Sequence, residues 1–151
     1  MKSLALLLAL LPAAAQAKCA GEVVFACTFA RGQQSLEICL TGQSVTVAGT
    51  GQDMALASGG FDLGAAEFTQ VTEGGRVVRE QLAWPDGNMA LIAIQARQAA
   101  GLRAVDPAGV PIDFVCDPRS ELKGGFKPLA AAYEAAGYKL CASGVWQKTC
   151  R

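Results

Sequence analysis

The chain has 151 residues, with 13 basic and 13 acidic side chains, six cysteines and no histidine. Without imidazole there is no Ser-His-Asp or Cys-His catalysis, no imidazole metal site and no usual proton shuttle near neutral pH. No basic block supports binding to a phosphate backbone, and no basic amphipathic stretch suits a membrane surface.

The N-terminus reads Met1-Lys2-Ser3, then an apolar run from Leu4 to Leu11, then Pro12 and a small-residue stretch ending Ala15-Gln16-Ala17. A short positive region, a hydrophobic region and an A-x-A site, in that order, predict a signal peptide over residues 1–17. The apolar run is too short for a bilayer, which needs roughly 20 residues, so no membrane span is expected. Lys18, rather than a small residue, precedes Cys19, which argues against lipid attachment there.

The remaining 134 residues suffice for one domain with a modest core. Without Lys2 the basic count is 12 against 13 acidic residues, a net charge of about −1. Cys19, Cys27, Cys39, Cys116, Cys141 and Cys150 all lie in this part. An even number of cysteines in an exported chain predicts a disulfide framework and a periplasmic or secreted location. With no Cys-x-x-Cys pair and no histidine, neither a metal site, a cofactor nor a redox-active thiol is read.

Period-two patterns predict strands from Val23 to Ala30 and from Leu36 to Thr41, joined by a turn at Arg31-Gly32-Gln33-Gln34. Val45 and Val47 suggest a third strand. Met54 and Leu56 suggest a short fourth, ended by a flexible turn at Ser58-Gly59-Gly60. Phe68 to Val71 suggests another. Arg76 to Trp84 and Met89 to Gln98 form a hairpin about Pro85-Asp86-Gly87-Asn88, with proline presetting φ and glycine supplying the left-handed position. Leu102 to Val105 and Pro111 to Cys116 close the series around Pro107-Ala108-Gly109. The expected fold is mainly β: a small antiparallel barrel or sandwich of about eight short strands over residues 18–117. Residues 118–151 read as a C-terminal appendage. Its helix spans about 128–136, with Pro128 in the first turn and Gly137 as the stop.

Cys19, Val24-Phe25-Ala26-Cys27 and Leu36-Glu37-Ile38-Cys39 resemble the opening of a group of uncharacterised exported bacterial proteins. That group begins with a cysteine, a Val-Phe-x-Cys strand, a glycine-containing turn and a second strand ending in cysteine. The resemblance continues through Trp84-Pro85-Asp86-Gly87-Asn88, Gly101-Leu102-Arg103-Ala104-Val105 and Phe114-Val115-Cys116, covering roughly residues 19–117. It implies the fold and export, and carries no activity. A more distant likeness is to periplasmic inhibitors of c-type lysozyme, small antiparallel barrels whose inhibitory motif is Ser-Gly-x-x-Tyr. Here Ser58-Gly59-Gly60-Phe61 is followed by Asp62, and Ser143-Gly144-Val145-Trp146 by Gln147, so neither stretch supplies the tyrosine.

The first turn governs the disulfides. A three-residue loop centred on Gln33 sets Cys27 opposite Cys39, within disulfide reach, and leaves Cys19 for Cys116. A two-residue turn at Gly32-Gln33 sets Cys27 opposite Ile38, on the apolar face, and directs it to Cys116. The expectation adopted is Cys27–Cys39, Cys19–Cys116 and the local pair Cys141–Cys150.

The eight-residue loop Ala142 to Thr149 carries Ser143, Trp146 and Lys148. A stapled loop with a tryptophan can present a binding anchor, or the indole can simply pack over the end of the β-domain. Trp84, beside its turn, is a recognition aromatic or a cap on the core. Asp113, Asp117 and Glu121 are the weak candidates for paired acid and base catalysis. The leading reading is an exported, non-catalytic binding or inhibitor-type domain of the cell envelope, its partner a protein or cell-wall component. The alternatives are a carboxylate-based hydrolase acting on cell-wall sugar and a passive structural envelope protein.

Overall fold

A computed structural model describes residues 19–118 and 125–150. The expected signal peptide over residues 1–17 and the catalytic candidate Glu121 lie outside the described residues. The alternating runs form two antiparallel sheets facing each other as a sandwich. The first holds β1 (Glu22–Phe29), β2 (Gln34–Thr41), β3 (Ser44–Thr50) and β4 (Gly59–Asp62) in that order. The second holds β5 (Glu67–Glu73), β6 (Arg76–Asp86), β7 (Met89–Ala96), β8 (Ala100–Val105) and β9 (Pro111–Val115) in that order. Within each sheet every strand therefore lies beside its neighbour in sequence, as short connections require.

The inner faces interdigitate. Phe25, Leu36, Ile38 and Val45 from the first sheet and Phe68, Leu82, Ala93 and Leu102 from the second are all 2% exposed or less. Phe61 of β4 stacks on Trp84 of β6, with centroids 5.4 Å apart, and Phe29 meets Phe114 edge-on at 6.3 Å. Among the described residues the sheets do not close into a barrel.

Two local expectations change. Met54–Ala57 is a single 3-10 turn rather than a strand. Gly59 and Gly60, expected in a flexible turn, are paired with Val47 and Thr46 as part of β4. An apolar run this short fits either conformation, and burial of Met54 and Ala57 decided it.

The first hairpin also differs, and with it the disulfides. Its loop has four residues, Ala30 to Gln33, because Phe29 pairs with Gln34. Cys27 therefore faces Leu36, and a bulge between Val23 and Phe25 brings Val23 opposite Cys39. Residues opposed across strands share a face, so Cys27 points into the core with Leu36, Ile38 and Leu40. Cys39 points to the other face. The expected Cys27–Cys39 bridge would have to pass through the sheet. Instead Cys39 bonds Cys19, which crosses the outer face, and Cys27 bonds Cys116 through the core, with Cα atoms 5.9 and 5.5 Å apart. Cys19–Cys116 is thereby replaced as well. Cys141 bonds Cys150. All six cysteines are paired, as in proteins of oxidising, extracytoplasmic compartments.

The C-terminal segment is docked on the sandwich. Helix α1 (Lys127–Ala135) ends where Gly137 takes φ +84° and the Tyr138 amide donates back to the Tyr133 carbonyl. Leu129 and Tyr133, one turn apart, face the sandwich with Phe126, and none of the three is exposed to solvent. Phe126 contacts both sheets: it stacks on Phe25 at 5.9 Å and meets Phe68 edge-on at 5.8 Å. No helix among the described residues is long and apolar enough to cross a membrane.

Candidate functional site

Of the carboxylates singled out in the sequence, Asp113 and Asp117 have structural partners. Asp113 on β9 lies directly opposite Arg103 on β8 and accepts two hydrogen bonds from its guanidinium, at 2.6 and 2.9 Å. Those hydrogen bonds hold the Asp113 carboxyl below the usual carboxylate range. Asp117 accepts from the backbone N–H groups of Arg31 and Gly32, at 3.1 and 2.8 Å, while its own N–H donates to the Thr28 carbonyl. It thus clamps the β1–β2 loop, in which Ala30 and Arg31 both adopt positive φ without being glycine. Cys19, Glu37 and Cys39 approach one another closely enough for a metal, but both sulfurs are spent in the disulfide.

Trp84 is 4% exposed and belongs to the core. Trp146 is half-buried and ties the C-terminal segment to β5. Its ring stacks on Phe68 at 6.1 Å, and Nε1–H donates to Oε1 of the buried Gln70 at 3.0 Å. Gln70 in turn donates to Glu80 at 2.7 Å, completing a polar chain across two strands.

The same segment builds a groove. Beyond α1, β10 (Lys139–Leu140) pairs with β11 (Trp146–Gln147), so Leu140 lies opposite Trp146. The backbone fixes this small hairpin to the free edge of β5: the Gln70 N–H donates to the Gly144 carbonyl at 2.7 Å, and Thr69 bridges Val145. Gly144 has φ +82°, and a Cβ there would lie 2.5 Å from the Gln70 carbonyl oxygen, so the contact requires glycine. The Cys141–Cys150 bridge closes the following loop.

Between hairpin and helix lies a cavity of about 440 Å³ lined by Glu134, Gly137, Tyr138, Lys139, Leu140 and Trp146. Tyr138 is set edge-on against Tyr133, with centroids 5.0 Å apart, and Lys148 Nζ lies 5.3 Å from its ring centre. Leu140 is 43% exposed beside these rings. The groove thus offers aromatic and aliphatic surface with an ammonium and a carboxylate at its rim, held by a disulfide and a backbone bridge. Among the described residues Glu134 is the one carboxylate lining it, and a single carboxylate is not an acid–base pair.

Of the residues proposed from sequence, Trp146 and Lys148 meet at this groove, Ser143 is exposed in the stapled loop nearby, and Trp84 lies elsewhere in the core. Sequence reasoning misses Tyr138, Leu140 and Glu134. The available signal is Tyr138 just past the helix-ending Gly137 and Leu140 just before Cys141. No family model, curated protein or solved structure matches the chain.

Proposed function

We propose that this is a non-catalytic binding domain of the cell envelope, periplasmic or secreted, that takes its partner in the groove between α1 and the β10–β11 hairpin. The observation that carries this reading is a partly exposed Tyr138–Leu140–Trp146 surface on a segment fixed by a disulfide, an indole hydrogen bond and a strand bridge. Rigid aromatic anchors lose little conformational freedom on binding and so retain affinity. The leader-like N-terminus and the three disulfides support export. The partner is a protein or cell-wall component with an apolar face and hydrogen-bonding groups suited to Glu134, Lys139 and Lys148.

The test uses the oxidised mature protein as bait in envelope extract. Trp146→Ala is a poor variant, because Trp146 also holds the segment in place. Leu140→Glu with Lys148→Glu changes exposed positions only. Loss of a reproducible partner in this variant, with an unchanged thermal midpoint, supports the reading. Equal recovery by both proteins refutes it.

A further inference from the structure

A second cleft opens where the 3-10 turn at Met54 approaches the β6–β7 hairpin. It has a volume of about 180 Å³ and shares no lining residue with the C-terminal groove, so a role for it goes beyond the proposed function. Its walls are apolar. Met54, Leu91 and Leu102 line it and are 4% exposed or less, so they form a buried apolar floor. Met89 and Phe114 complete the sides. Past the leader the chain has two methionines, Met54 and Met89, and both line this cleft. Thioether side chains repack around differing apolar shapes at little cost.

The rim is charged with one sign. Asp53 and Asp86 are both exposed and both border the cleft, and among the described residues no lysine or arginine lines it. Asp53 is oriented by a hydrogen bond from Gln34 Nε2 at 2.9 Å. Asp86 ends β6 and lies opposite Met89 across the turn. The hairpin whose tryptophan stands out in the sequence therefore contributes Asp86 and Met89 to a cavity, while Trp84 stays in the core. An apolar cavity of about 150 Å³ holds a benzene-sized molecule, so this one accommodates a ring or a short alkyl chain.

We infer that this cleft is a binding site for a small apolar amine: an aryl or alkyl group inserted among Met54, Met89 and Leu91, with its ammonium at the mouth between Asp53 and Asp86. The apolar body supplies burial and the two carboxylates select the charge. Because the carboxylates are exposed, their preference is modest, about three- to tenfold over an uncharged analogue.

Titration of the oxidised mature protein with 2-phenylethylamine, 2-phenylethanol and 3-phenylpropanoate, followed by amide chemical shifts, tests this. The expected result is saturable shifts at Met89, Leu91 and Ala104, with the amine binding tightest, then the alcohol, then the carboxylate. Asp53→Asn with Asp86→Asn should bring the amine down to the alcohol, and Asp53→Asn with Asp86→Lys should place the carboxylate ahead of the amine. Leu140→Glu should leave all three affinities unchanged, which separates this site from the groove. No saturable binding of the amine, equal binding of the three probes, or an unchanged order in the protein with Asp53→Asn and Asp86→Lys overturns the inference.

Discussion

Asp117 is the residue whose role the sequence most misrepresents. As a carboxylate beside a cysteine it suggests chemistry, yet it receives two backbone N–H groups of a loop with consecutive left-handed residues. Removing it leaves those donors without their charged acceptor. Asp117→Ala is expected to cost about 1–2 kcal/mol by denaturant melts, after allowing for partial exposure. Arg31→Gly, which relieves a positive φ of 59°, should raise stability by about 1 kcal/mol. Asp113 gives the pH dependence. Arg103 holds its folded-state pKa below the ordinary value, so the pair's contribution is present above that value and lost as pH falls through the lowered one. An NMR titration should place the Asp113 midpoint below its position in an Arg103→Ala variant. Tyr133 runs the other way: burial pushes its phenol up and keeps it neutral, as suits a hydroxyl that donates to the Leu63 and Ala66 carbonyls.

Among the elements, the β6–β7 hairpin and helix α1 were legible in the sequence, because each has strong local signals. Gly87-Asn88 turns one, although Pro85 and Asp86, expected in that turn, are paired with Ala90 and Met89 at the end of β6; Pro128 and Gly137 bracket the other. The four-residue β1–β2 loop was not legible, because Ala30 and Arg31 carry no preference for positive φ. Asp117, 86 residues beyond Arg31, supports that conformation. A loop length misjudged by one or two residues moves cysteines to opposite faces, which is why the pairing of Cys27 and Cys39 failed while the local Cys141–Cys150 pair did not. Docking of the C-terminal hairpin is likewise a contact across the chain that no local pattern announces. It makes Gly144 decisive. Gly144→Ala places a Cβ against the Gln70 carbonyl, and faster amide exchange confined to residues 139–149 is the expected readout.

In the whole molecule, the bridge with the longest span joins the sheets. Cys27 and Cys116 are 89 residues apart, against 9 for Cys141 and Cys150. In the chain-entropy account, removing the first pair by alanine costs about 4–5 kcal/mol and removing the second about 2–3. The second loss should fall on the groove more than on global unfolding. Sandwich and groove thus have separable roles: one supplies a rigid platform, the other the surface on which function is proposed. The most direct test places a photo-crosslinking phenylalanine analogue at position 140 or at position 77 and irradiates living cells. Leu140 and Val77 are equally exposed, at 43%, but Val77 lies on β6 and does not line the groove. A discrete adduct from position 140 and none from position 77 is the expected result. No adduct at 140, or the same adducts from both positions, would contradict the proposed function.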